Sequence, residues 1–555
     1  MAHDLVIRNG LVIDGTGSPG FEADVAVNGE AITAIGKNLG AGKKEIDAQG
    51  QVVAPGFIDS HTHMDAFAVQ YPHGNPVVNY GVTTIVIGDC GASCAPVPPR
   101  PEPRQVLVQY LRRVLDKYVD DKDWKWNTFG DYLNYLEGKI AINIAPLMPH
   151  SPVRLTVMGE AAYAREAHPE ELEAMKKMVR EGMELGAIGF STSPRGGPAI
   201  HAGTPSTFAT HDEIVELANV VAEFKGCFQF NGFQMMLQPE SGIPEMLGKI
   251  GATEIGNEFR VRPGQKDQGM KAIKYMEEAQ KRGQNLYGVV IPYTHIRRFT
   301  VDACFFLNGL PTWEAIKGSK DLRGQLRNKG IRKKLEQERI AGAGEPEFVE
   351  WHGWDRVVFE HIEKPDLKKL ELKNAADIGR LTEKPPVDAF FDTWLEDDLR
   401  SQGVYYGLAN AHPELLAAMI KSDTSLIGTD VGAHLDRFFW HGAPAKVLGY
   451  WRREKHLMSL EQAVHKLTGF PAKKLRLNRG LLKEGMPADV TVFDADKIDD
   501  LVSRKLPDVI DAQEVKRHPP GIKAVVVNGS TVVEEGCCND VFPGKVRRHQ
   551  ICQPN

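Results

Sequence analysis

The hydrophobic pattern of this chain changes character between its ends and its middle. Near the start, "DLVIRNGLVID" (4–14) and "ADVAVNGEAITAIG" (23–36) each set an Asn-Gly pair between short apolar runs. That pair tolerates the left-handed backbone of a tight turn, so both segments are predicted to be β-hairpins. The far end looks alike: "IKAVVVNGSTVVEEG" (522–536) repeats the device, and "ADVTVFDAD" (488–496) is a further strand-like run. Matching β segments at opposite ends predict one small β-sandwich domain built from residues 1–53 and 480–545.

Between them, compact apolar runs alternate with amphipathic stretches. The runs lie at 51–59, 81–89, 141–148, 186–193, 226–233, 257–264, 285–292 and 424–430. Short apolar runs bounded by turn signals suit parallel strands buried on both faces. In 169–185, Leu172, Met175, Met178, Val179 and Met183 form one helical stripe, and Gly186 ends it. In 210–224, Thr210 and Glu213 stand at capping-box spacing ahead of Ile214, Leu217, Val220, Val221 and Phe224. Eight strands with helices between them predict an α/β fold, a (β/α)8 TIM-like barrel over 54–479. Two stretches exceed a simple barrel. Residues 92–140 are proline-rich and then aromatic, and 296–400 are long and charged. Insertions of this size after barrel strands become lids, substrate walls or subunit contacts, and a homo-oligomer is expected.

Composition narrows the function classes. The 555 residues are 42% hydrophobic and 25% charged, with a net charge of -6, which fits a globular protein and gives no basic footprint for nucleic acid. The basic run at 327–339 is interleaved with acids and reads as a solvated helix face. No run approaches the ~18 apolar residues that cross a membrane, and the start shows no basic-then-apolar leader. Seven scattered cysteines argue for a reducing compartment, so a cytoplasmic location is expected. The expected partner is a small-molecule substrate, not nucleic acid or a membrane. "GTGSPG" (15–20) matches a dinucleotide loop in form, but a strand pattern follows it where a helix N-terminus is required.

Chemistry enters at the strand tips. His61 and His63 in "GFIDSHTHMD" (56–65) lie two residues apart on extended chain, so both imidazoles can face one ion. They follow the first strand, at the rim where barrel active sites form. Cys90 ends the second strand, and a thiolate beside imidazoles suits zinc. Asp430, in "LIGTDVGAH" (426–434), ends the last strand and can touch an ion and accept a proton from water; His434 lies one turn on. Each signal alone has a plainer reading, as a polar loop or an ordinary buried cysteine. Strands one, two and eight adjoin in a closed barrel, so the three signals converge.

These motifs resemble the amidohydrolase superfamily and, within it, the D-aminoacylase (N-acyl-D-amino-acid deacylase) group. The resemblance runs over nearly the whole chain, through "VVAPGFIDSHTHMD", "GVTTIVIGDCGASCAPVPP", "LMPHSPVRLTVMGE", "EGMELGAIGFSTSP", "GTDVGAHLD" and "NRGLLKEGMPADVTVFD". It implies that His61, His63 and Asp430 hold metal, with Cys90 as a shared ligand. In such enzymes histidines from strands five and six complete a second site. Here "CFQFNGF" offers Gln229 and Asn231, and "NEFRVRPG" offers arginines. One Zn2+ ion is therefore expected in place of two. The implied reaction is zinc-dependent hydrolysis of a C–N amide bond in a carboxylate-bearing small molecule, with Asp430 moving the proton. His150 is a candidate catalytic oxyanion donor, with Arg154 beside it. Arg195, Arg297 and Arg298 are candidate carboxylate clamps, and His295 and His434 candidate rim contacts to substrate. Alternatives are hydrolysis of a cyclic amide, imide or lactone, a deaminase or decarboxylase on the same barrel, and a non-catalytic binding scaffold. The last is disfavoured by the joint presence of His61, His63, Cys90 and Asp430.

Overall fold

The computed structural model describes residues 2–114, 121–122, 124–195, 203–231, 243–262, 264–301, 304–343, 353–407, 409–432, 440–500 and 519–546. At its centre is an eight-stranded parallel sheet, rolled into a nearly closed barrel. Strands one to eight are Phe57–Asp59, Val82–Ile87, Asn143–Pro149, Gly189–Thr192, Cys227–Asn231, Thr253–Asn257, Asn285–Val290 and Ser425–Ile427. Each is hydrogen-bonded to the next from one through eight. The last seam closes differently. Ser60 donates its N–H to the Ile427 carbonyl at 3.2 Å, and Thr62–His63 then pairs in parallel with Val431–Gly432 just beyond the strand ends.

Alternation along each strand sorts side chains to two cores. Ile58, Val86, Leu147, Ile255, Val289 and Leu426 fill the barrel interior, and Phe470 and Leu475 join them from around the helix Gly469–Lys474. Phe228 and Phe230 point the other way, into the layer shared with the outer helices. Pro169–Glu184 and His211–Glu223 are two of those helices, and they bury Met175, Val179, Met183, Ile214, Leu217 and Val221 as their periodicity predicts. Gln229 and Asn231 share the inward parity of Cys227, above the apolar filling.

Strand six differs from its sequence placement. It runs over Thr253–Asn257, not 257–264, in register with both neighbours through Asn231↔Asn257 and Thr253↔Asn285. The apolar-run criterion missed it because Ile255 is its only large apolar residue. Its outward face carries the buried Glu254 instead.

The two chain ends meet in one nine-stranded sheet. Val52–Pro55 joins them, running parallel to His3–Val12 and antiparallel to Val490–Phe493. The sheet forks at His3–Val12, which takes Gly42–Asp47 along one part of its edge and Val52–Pro55 along the next. Ile46 from one branch and Ile32 from beyond the opposite edge of His3–Val12 meet Val53, Val490 and Val526 from the other branch in a single cluster. The segment between strands seven and eight builds its own core of Phe299, Trp313, Phe390 and Trp394 around a three-stranded antiparallel sheet. The segment after strand two is tied to the rim: Trp126 Nε1 donates to the Cys94 carbonyl at 2.8 Å and Tyr132 Oη to the Asp65 carbonyl at 2.9 Å. No helix among the described residues is long and apolar enough to cross a membrane.

Glu254 supplies a test of this strand assignment. Burial pushes its carboxyl up to about 8, against hydrogen bonds from Gln284 Nε2 at 3.0 Å to each oxygen. The folded pKa lies above the unfolded one, so the native state holds an extra proton. Its contribution is fully present below the unfolded pKa and is lost as pH rises through about 8. Glu254→Gln is expected to flatten the loss of stability between pH 5 and 8, by on the order of a few kcal/mol. Thermal melts across that range check this; parallel wild-type and variant profiles would contradict it.

Candidate metal centre

The centre is assembled at the seam between strands one and eight. Asp59, at the end of strand one, accepts hydrogen bonds from the backbone N–H of Thr429 at 3.0 Å and from Thr429 Oγ1 at 2.5 Å. The same carboxylate accepts the His61 N–H at 3.3 Å. Asp430 has φ 51 and donates its own N–H to the His61 carbonyl at 3.0 Å. Gly432 must be glycine here: with φ +147, an added Cβ would meet the His63 carbonyl carbon at 2.2 Å. The outcome is close convergence. Asp430 Oδ1 lies 3.2 Å from His61 Nε2 and 3.2 Å from His63 Nε2, and the two rings stand nearly perpendicular at 88°.

Cys90 reaches the same point from strand two. It too is left-handed, with φ 56, in the turn Asp89–Gly91. Such a conformation costs of order 1 kcal/mol or more for a non-glycine residue and persists only where the surroundings fix it. Two hydrogen bonds do so. The Cys90 N–H donates to Gln229 Oε1 at 2.9 Å, and its carbonyl accepts from Ser193 Oγ at 2.7 Å. Its Sγ stands 3.8 Å from His61 Nε2. Next to it, Asp89 faces the other side of His61: Oδ1 lies at an ion-pair distance of 3.4 Å from His61 Nδ1, and Oδ2 accepts the Thr62 N–H at 3.2 Å. A carboxylate behind a ligating imidazole fixes the ring and raises its basicity.

The donor chemistry fits a divalent ion. Ligand atoms of His61, His63 and Cys90 lie within 4.8 Å of one another, and so do those of His61, Glu258 and Asp430; all are buried. Burial acts against charge on His61, His63, Cys90 and Asp430, yet their mutual contacts prevail. Asp430 and Cys90 outweigh the desolvation of His63 and hold it up at about 10. Burial would raise the Cys90 thiol, but His61 and His63 bring it below its ordinary value. Burial likewise opposes the Asp430 carboxylate, and hydrogen bonds from His61 and His63 hold it well below the usual range. These are groups ready to exchange protons for a metal ion.

Other candidate residues fare differently. His150 and Arg154 are wholly buried and point to Glu213: His150 Nε2 is 2.8 Å from Glu213 Oε1, its Nδ1 is 2.8 Å from Thr192 Oγ1, and Arg154 Nη1 donates to the same carboxylate at 2.5 Å. Both ring nitrogens are thus engaged, so the expectation that His150 faces an oxyanion and Arg154 a substrate is corrected. Glu213, which read as a helix cap, turns inward to satisfy them. Arg298 is held bidentately by Glu360 at 2.7 Å within the inserted domain, so it is not a clamp at the rim. Arg195 is exposed, with Nε donating to the Thr207 carbonyl at 3.4 Å. Arg297 has its backbone opposite Tyr405. His295 is buried against Trp440, with centroids 4.5 Å apart, and burial with the nearby Arg260 keeps its pKa well below the ordinary value. His434 lies outside the described residues. Three residues escaped sequence reasoning: Asp89 as the support of His61, and Glu258 and Arg260 just past strand six. Arg260 Nη2 donates to Asp430 Oδ2 at 3.4 Å and its Nε to Glu258 Oε2.

An amidohydrolase family model matches residues 44–262 and 355–533, well over half of the sequence. The chain belongs to the amidohydrolase family. This amidohydrolase is 29% identical to a D-aminoacylase of Alcaligenes xylosoxydans xylosoxydans over 554 residues, which is 98% of this chain and 97% of that one. It is 28% identical to an N-acyl-D-aspartate deacylase of the same organism, over 98% and 94% of the two chains. Among solved structures, N-acyl-D-glutamate deacylase from Bordetella bronchiseptica, complexed with zinc and a phosphonate inhibitor, superposes with a TM-score of 0.70 at 23% identity, covering 99% of this chain and 100% of that one. A D-aminoacylase crystal structure gives 0.69 at 23% identity, covering 98% and 100%. The amidohydrolase is a hydrolase of carbon–nitrogen bonds.

If Cys90 ligates the ion, Cys90→Ala is expected to lower zinc affinity by ~10–100-fold or more, since even loss of an outer-shell partner costs that much. Competition with a chromophoric chelator measures this, and an unchanged affinity would remove Cys90 from the ligand set.

Proposed function

We propose that this amidohydrolase uses one zinc ion to hydrolyse the amide bond of a small N-acyl-D-amino acid. The observation that carries the reading is the approach of Asp430 Oδ1 to 3.2 Å from both His61 and His63, beside the Cys90 thiol, at the rim where strands one, two and eight converge. Full-length similarity to D-aminoacylase and N-acyl-D-aspartate deacylase supports the substrate class. The count of one rests on His61. Both ligand trios include it, and its Nδ1 is turned to Asp89, which leaves Nε2 for a single ion. The division into a terminal β domain over 1–53 and 480–545 and a barrel over 54–479 belongs to the same proposal.

His61, His63, Cys90 and Asp430 would hold the ion. When bound, zinc supplies Lewis acidity that brings the pKa of water to about 7 and polarises the scissile carbonyl. The protein's own residues do the rest. Asp430, kept ionised by the histidines, accepts the proton of the attacking water and returns it to the leaving nitrogen. Arg260 brings a guanidinium to Asp430 Oδ2 and so balances that carboxylate from beyond strand six. Asp89 fixes the orientation of His61. A second reading is opening of a cyclic amide: Gln229 Oε1 is held by the Cys90 N–H, while its buried amide nitrogen has no hydrogen-bond partner among the described residues and could donate to a ring carbonyl.

A panel of N-acyl-D-amino acids, their L forms and cyclic amides separates these readings when run with metal analysis on the same preparation. The expected result is D-selective deacylation with one equivalent of zinc, reduced ~10²–10⁴-fold in Asp430→Asn. Full activity after metal removal would overturn the reading, and turnover of cyclic amides alone would select the second.

A further inference from the structure

Glu258 is a charged side chain with an unexplained position. It follows the last residue of strand six and is only 8% exposed. Its Oε2 is held by Arg260 Nε, while its Oε1 has no hydrogen-bond partner among the described residues. A buried carboxylate oxygen without a partner is unfavourable unless something absent from the protein chain satisfies it. One oxygen of Glu258 lies within 4.8 Å of the ligand atoms of both His61 and Asp430.

We propose that Glu258 is a ligand of the metal centre, so that the ion is held between a sulfur side, His61, His63 and Cys90, and a carboxylate side, His61, Glu258 and Asp430. The inference rests on the metal-centre reading above. Arg260 shapes the carboxylate side. It engages Oε2 of Glu258 and Oδ2 of Asp430, and so leaves Oε1 of the first and Oδ1 of the second for an ion. Asp430 Oδ1 is the oxygen already facing both histidines. Two carboxylates this close repel unless a cation lies between or beside them, and one guanidinium cannot cover all four oxygens. Strand five makes no competing contribution. Gln229 Oε1 is taken by the Cys90 N–H, and its remaining amide nitrogen has no lone pair to donate.

The consequence is a centre of mixed hardness. Thiolate and imidazole favour zinc, whereas carboxylate oxygens favour manganese and other harder ions that accept higher coordination numbers. Cys90 and Glu258 should therefore govern different metals. The test strips the purified full-length protein with a chelator and titrates it separately with Zn2+ and Mn2+ by calorimetry, for wild type, Glu258→Gln, Glu258→His and Cys90→Ser. Glu258→Gln is expected to lose Mn2+ affinity by ~10–100-fold, a size typical of perturbed metal sites, and to lose less for Zn2+. Cys90→Ser should show the reverse. Glu258→His should keep Zn2+ and lose Mn2+, which preserves the test if the glutamine variant does not fold. In the cobalt-substituted protein, loss of Glu258 should lower the coordination number and intensify the visible d–d bands. A Glu258→Gln protein with wild-type affinities for both metals and a wild-type cobalt spectrum would overturn the assignment while leaving the metal centre intact. A wild type that binds neither metal would overturn the metal-centre reading itself.

Discussion

The seam between strands eight and one is the constraint on which the rest of this molecule depends. A barrel of parallel strands closes only if its last strand meets its first. Here that contact is made less by a ladder than by Asp59, which holds Thr429 and the His61 backbone together. The short pairing of Thr62–His63 with Val431–Gly432 follows directly. The same atoms that close the fold thus aim His61, His63 and Asp430 at one point. Left-handed backbone at Asp430 and Cys90 shows that this aim is imposed against local preference. Stability and chemistry share one set of hydrogen bonds at this seam, so they cannot be altered independently.

Electrostatics follows from that geometry. Asp89, Asp430 and Glu258 are all buried, and three carboxylates in one apolar rim would not ionise together unaided. His61 and His63 compensate from the barrel side and Arg260 from beyond strand six. Asp89 stands behind His61, Asp430 in front of it, and Arg260 joins Asp430 to Glu258. Burial still raises the Asp89 carboxyl, whereas at His63, Cys90 and Asp430 neighbouring charges prevail over burial, which is the arrangement an ion of charge two would enter by displacing protons. The apolar filling below, with Val289, Leu426 and Ile255, keeps water out from the opposite end.

Much of this was legible in the sequence, and what was not has physical causes. Strands one, two and eight announce themselves because an apolar run ends in a ligand-type residue at each: His61, Cys90, Asp430. Strand six does not, because Thr253–Asn257 buries a glutamate on its outer face and carries Gly256. With the strand set too late, Glu258 fell inside it and its place at the rim was invisible. The His150 and Arg154 assignments failed for a related reason. Their partner Glu213 lies over fifty residues along the chain, at a spacing that suits a helix cap, and only the packing of that helix on the barrel shows it turning inward. Asp89 gives no signal of its own in the sequence, because its place behind His61 depends on a contact between strand tips that no local pattern encodes.

The central claim is that one ion sits against both imidazoles and the thiol. X-ray absorption at the zinc edge of the purified, zinc-loaded protein, with stoichiometry measured on the same sample, tests it directly. One zinc per chain with a single sulfur scatterer at ~2.3 Å and nitrogen or oxygen neighbours at ~2.0–2.2 Å is the result this account requires. Two ions per chain, or a zinc environment without sulfur, would contradict it.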